Sequence, residues 1–108
     1  MSDDRVDEGA DWLQRRYRKN PDMVSRLIGG EFILVPIRSN AADLESVFTL
    51  SGTGVRIWEL IDGQLTGRDM RDRIVKEFAV EPEEAEDDLI GFLKELQAID
   101  GIVMVEEQ

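Results

Sequence analysis

Phe48-Thr49-Leu50-Ser51-Gly52-Thr53-Gly54-Val55-Arg56-Ile57-Trp58-Glu59-Leu60-Ile61-Asp62-Gly63 is the stretch on which the fold turns. It opens with alternation: Phe48 and Leu50 face one way, Val47 and Thr49 the other, as in a strand running from Glu45 to Leu50. Ser51 can then cap a helix that continues to Ile61. Asp62-Gly63 stops it, with Gly63 suited to the left-handed position after a helix end. Trp58 sits mid-helix among apolar neighbours and reads as core.

Downstream, Thr66 starts a second helix. Thr66 and Asp69 have capping-box spacing, and Leu65 and Met70 hold the two staple positions. Met70, Ile74 and Phe78 recur every four residues as its buried stripe. Pro82 suits the first turn of a third helix, and Glu83, Glu84 and Glu86 complement its positive end. Ala85, Leu89, Phe92, Leu93 and Leu96 form its apolar stripe. Ile99-Asp100-Gly101 repeats Ile61-Asp62-Gly63 and reads as the same helix stop. Ile102 to Val105 is a final strand.

Upstream, Val24–Ile28 and Glu31–Ile37 flank Gly29-Gly30, a two-residue hairpin turn. Pro36 marks the end of the second strand, and Ser39 to Asp43 is a loop. Before the hairpin, Asp11 to Lys19 is expected to form a short helix capped by Asp11. In it Trp12 and Leu13 would meet Arg16 and Tyr17, and Asn20-Pro21-Asp22 would end it. Met1 to Gly9 is polar, acidic and expected to be mobile. Residues 1–22 thus form an N-terminal extension, 23–105 the domain, and 106–108 an acidic tail. Three strands, three helices and one strand make an α+β, winged-helix-like fold with a three-stranded N-terminal sheet.

Composition excludes more than it assigns. The chain has 108 residues, with neither Cys nor His. That removes thiol and imidazole nucleophiles, the usual general base near neutral pH, and nearly all zinc, copper and haem ligation. No catalytic constellation, metal site or cofactor site emerges. Asp87-Asp88 with Glu83, Glu84 and Glu86 reads as a solvated helix start. Gly52-Thr53-Gly54 lacks the lysine of a phosphate loop, and close packing of helix on strand accounts for it better. Thirteen basic against 24 acidic residues give a net charge of −11, which argues against nucleic acid as the main partner. The cluster Arg15, Arg16, Arg18, Lys19 reads as a solvated face balancing the acidic body. There is no membrane span and no secretory signal, so a cytoplasmic protein is the default expectation.

Binding remains. A three-stranded meander leaves the third strand, Glu45-Ser46-Val47-Phe48-Thr49-Leu50, with a free edge that can accept an extended peptide. Ile90, off the main stripe of the third helix, either walls a pocket beside that edge or broadens the core face.

The ordered series of motifs resembles the PqqD family, pyrroloquinoline quinone biosynthesis protein D and its relatives, also called RiPP recognition elements. The strand ending in Leu50, the glycines at the helix start, Ile57-Trp58 and Asp62-Gly63 carry the resemblance. So do the capped helix at Thr66, then Asp88, Phe92-Leu93 and Leu96, and Gly101 to Val105. Asn20-Pro21-Asp22-Met23-Val24 and Gly29-Gly30-Glu31 fit as well. Many relatives carry Asn where this chain has Ser51, and Ser39 to Glu45 is longer than in a minimal member. The resemblance implies a non-catalytic domain without a cofactor. It would bind the leader of a ribosomally made precursor peptide as an added strand, in a groove between the third strand and third helix. It would then present the leader to a maturation enzyme, often a radical SAM enzyme. On this reading the edge from Glu45 to Leu50 pairs with the leader, and Ile90, Leu93, Lys94 and Gln97 wall the groove. A scaffold subunit that binds no peptide and a winged-helix DNA-binding regulator are the alternatives. The acidic residues among Arg68, Arg71, Arg73 and Lys76 weigh against the latter.

Overall fold

A computed structural model of the chain describes residues 11–37, 48–50 and 52–105. Two small antiparallel sheets meet three helices. Strands β2 (Met23–Ile28), β3 (Glu31–Pro36) and β4 (Phe48–Leu50) form one sheet in that order. Strands β1 (Arg16–Lys19) and β5 (Ile102–Val105) form the other. Helices α1 (Thr53–Leu60), α2 (Gly67–Phe78) and α3 (Pro82–Ala98) lie between β4 and β5 in the chain. The expected three strands, three helices and closing strand are present, and β1 is an addition.

The hairpin follows from its turn. Gly29 and Gly30 take φ of 58° and 84°, the left-handed pair that lets a two-residue turn match the strand twist. Leu34 and Leu50 fall on the face of the sheet that meets the helices, and both are buried. Leu27 and Ile28, near the turn, reach past the body and are exposed.

The helix signals are mostly local, and they hold. Thr66 Oγ1 accepts from Asp69 N–H at 3.1 Å while Asp69 Oδ2 accepts from Thr66 N–H at 3.0 Å, completing the capping box. Pro82 opens α3. Gly63 takes φ 84°, and Asp62 Oδ1 accepts from the N–H groups of Gln64 and Leu65. Those two N–H groups hold the Asp62 carboxyl below the usual carboxylate range. Ser51, the expected cap of α1, and the loop from Ser39 to Asp43 lie outside the described residues.

Four expectations are corrected. The helix expected over Asp11 to Lys19 is a helical turn at residues 11–14 followed by β1. Pairing with β5 decides it: Arg16 to Lys19 stand opposite Val105 to Ile102, which drops Tyr17 fully into the core. There Tyr17 stacks on Trp12 at 5.8 Å and its hydroxyl donates to Trp12 O at 2.7 Å. Burial first, and then the Asp11 carboxylate, push the Tyr17 phenol far above the usual tyrosine range. Phe78 does not complete the stripe of α2: the chain turns away at Ala79 in the left-handed region, and Phe78 stays largely exposed. The repeated tripeptide stops its two helices differently, since in the second copy Asp100 rather than the glycine takes the left-handed conformation, at φ 61°. Finally, the glycines before α1 do not seat a helix on a strand. Gly52 adopts φ 56° with nothing nearby, and Gly54 makes room for the ring of Phe92 on α3.

Candidate peptide-binding site

The pattern of hydrogen bonds along the sheet decides which backbone groups are on offer. Ile28 and Glu31 flank a two-residue turn and bond to each other, and bonded pairs alternate from there. The far end agrees, because Ile37 N–H donates to Asp22 O at 2.6 Å, four alternate pairs along counting from Ile28 and Glu31. Phe32 and Leu34 therefore aim their backbone groups at β4, where they meet Leu50 and Phe48. Thr49, opposite Ile33, aims its N–H and C=O outward. It is the one described residue of β4 that does so.

Beside this edge a cleft of about 270 Å³ separates β4 from α3. Phe48, Thr49, Thr53, Gly54, Ile57, Asp88, Phe92 and Glu95 line it. The aromatic wall is a tilted pair, Phe48 and Phe92, with centroids 6.1 Å apart. Phe92 lies close on α1 because position 54 has no side chain: a Cβ there would stand 3.2 Å from the ring. Asp88, Phe92 and Glu95 fall on one flank of α3 at spacings of four and three.

The expected site residues fall into separate groups. Phe48 and Thr49 line the cleft, and Leu50 is buried in the core. Glu45, Ser46 and Val47 lie outside the described residues. Leu93 is fully buried in the core and forms no wall. Ile90, Lys94 and Gln97 are not among the lining residues: each lies on the other flank of α3, with Ile90 half-buried against the core and Lys94 and Gln97 exposed. Ile90 and Lys94 are two residues from Phe92, or about 160° around the helix. Phe92 is the lining residue that sequence reasoning placed in the core instead. The available signal was Gly54, whose lack of a Cβ is what admits the ring.

A second cleft among the described residues, of about 370 Å³, lies along α2 and is lined by Leu65, Asp69, Asp72, Arg73 and Lys76. On α2, Arg71 is held by Asp72 at 3.0 Å and by Glu86 of α3 at 3.2 Å, so this cation is engaged within the protein. Between α1 and α2, Arg56 donates to Glu77 through two bonds of 2.7 and 2.9 Å. That contact raises the guanidinium's affinity for its proton and lowers the Glu77 carboxyl. No described helix is long and apolar enough to cross a membrane.

The family model described as coenzyme PQQ synthesis protein D matches residues 31–100. The chain belongs to the PqqD family. The matched span runs from β3 through α3 and so contains every residue that lines the cleft. Among solved structures, this PqqD-family chain is similar to one described as TbiB1 in complex with the TbiA(beta) leader peptide. The two share 24% identity at a TM-score of 0.66, over 83% of this chain and 99% of that one, which establishes a common fold. No curated protein gives a significant match.

Proposed function

We propose that this chain captures the leader segment of a ribosomally made precursor as a strand added to β4, and presents it to a maturation enzyme without doing chemistry itself. The observation that carries this reading is the outward-facing backbone of Thr49 beside a cleft with an aromatic wall. Family membership supports it, and so does a fold shared with a protein whose structure includes a leader peptide. The absence of Cys and His fits a binding role, and nothing among the cleft's described residues pairs a nucleophile with a base. A radical SAM enzyme is the class of maturase the family suggests.

Magnitudes set the expected strength. Each added backbone hydrogen bond contributes about 1 kcal/mol, largely offset by ordering the peptide. A buried apolar side chain in the cleft adds roughly 1.5–3 kcal/mol. Affinity near micromolar is expected, with the side chain in the cleft deciding it.

The test is a titration of isotope-labelled protein with the leader segment of a candidate precursor peptide. Amides of Phe48 to Leu50 and of Asp88 to Glu95 should shift together. Phe92→Ala should weaken binding about tenfold, while Ile90→Asp, on the far flank, should leave it nearly unchanged. Shifts confined to Arg15 through Lys19 would overturn the proposal, because the N-terminal segment would then be the docking site.

A further inference from the structure

The cleft has a charge signature as well as a shape. Phe48, Ile57 and Phe92 supply its apolar lining, with Gly54 against the Phe92 ring. Its rim on α3 carries two carboxylates, Asp88 and Glu95, one on either side of Phe92. Both residues are exposed, and among the described residues neither side chain has a hydrogen-bond or ion-pair partner. By contrast Glu77, Glu86 and Asp72, on the outer faces of α2 and α3, are matched to Arg56 or Arg71. No basic residue is among the described residues that line the cleft. The one cation of α1, Arg56, is held by Glu77 and Glu59, and the one cation of α3, Lys94, is on the opposite flank from Phe92.

We infer that the peptide recognised here places an apolar side chain in the cleft and flanks it, two residues away on either side, with Lys or Arg. This deepens the proposed function and rests on it. The spacing comes from two elementary repeats. Along α3 at about 1.5 Å per residue, Asp88 lies about 6 Å and Glu95 about 4.5 Å from Phe92. Side chains on one face of an added strand recur about every 6.8 Å. For a strand added along α3, cations two residues either side of the anchor therefore reach the two carboxylates when the anchor sits on Phe92. Their long stems cover apolar surface while the charge stays at the wet rim. The net charge of −11 adds a long-range preference of the same sign, drawing basic segments in and repelling acidic ones.

The exposed rim makes each contact individually weak, so the effect reads as selectivity more than strength. The experiment selects displayed random peptides on the full chain and on the Asp88→Asn, Glu95→Gln double variant. Enriched peptides are then mapped by amide shifts. Wild-type protein should enrich Lys or Arg two residues from an apolar residue, and these peptides should bind the double variant about fivefold more weakly, with a flatter salt dependence. Peptides that shift Phe48 to Leu50 yet show no cation enrichment, or that bind the double variant equally, overturn this inference and leave the proposed function standing. A selection that yields no binder, or binders that leave Phe48 to Leu50 unmoved, overturns both.

Discussion

β1 and β4 are both short strands bonded to one partner, and they differ in the fate of their remaining backbone groups. On β1, Gly63 N–H donates to the carbonyl of Tyr17 at 2.7 Å, and just before the strand Gly67 N–H donates to that of Arg15 at 3.0 Å. The loop between α1 and α2 thereby seals its outer side. On β4 the outward groups of Thr49 face a cleft instead. The two strands thus differ in whether a neighbouring segment covers their outward backbone groups. Closure over β1 depends on Gly67, where a Cβ would collide with Trp12 O and stand 2.9 Å from Leu13 Cα.

Substitutions can break this contrast in order of size. Trp58 is buried under β1, with Lys19 Nζ 5.2 Å from its ring centroid. Trp58→Ala should remove about 3–5 kcal/mol of stability, read by thermal or denaturant melting. A variant that melts like the parent but no longer binds peptide would move Trp58 from the core to the site. Next come the two crowded glycines. Gly67→Ala forces backbone apart on the sealed side and should cost about 1–3 kcal/mol. Gly54→Ala meets only the Phe92 ring, so it should disturb peptide binding more than melting. Equal melting losses for both would show that the cleft is as rigid as the sealed side.

The smallest expected effect is the sharpest. Thr49→Pro removes the outward N–H of β4 without touching its bonds to β3, and should weaken peptide binding about tenfold, near 1.4 kcal/mol. Ser25→Pro is its control. By the same alternation Ser25 faces outward on β2, the opposite edge of the sheet, and there the change should spare both fold and binding. If Ser25→Pro abolishes binding and Thr49→Pro does not, the peptide adds to the other edge.

What the sequence made legible was what neighbours in the chain decide. The capping box at Thr66, the stop at Gly63, Pro82 and the hairpin at Gly29-Gly30 all act within a few residues, and all are where they were expected. β1 was hidden because its partner is β5, more than eighty residues away, while Trp12, Leu13, Arg16 and Tyr17 happen to suit a helix. Phe92 was hidden for a related reason. It shares a stripe with Leu89, Leu93 and Leu96, and contacts with Gly54 and Phe48, from other elements, turn it into a wall. Spacing along α3 supplied the existence of two polar flanks, but which one faces β4 is a tertiary fact. The stop at Asp100 shows the same limit, since two identical tripeptides turn left-handed at different residues.

The outward groups of Thr49 have a consequence for how a ligand can evolve. In a strand, the side of the chain on which a residue's backbone bonds lie and the face on which its side chain lies alternate together. A peptide bonded to Thr49 must therefore send every second side chain toward Phe48, Phe92 and the core, and the rest toward the exposed face that carries Thr49. In that pairing only half of its letters would be read. The other half can drift without loss of recognition, so diverse precursors can share one receptor provided the alternate positions keep their chemistry.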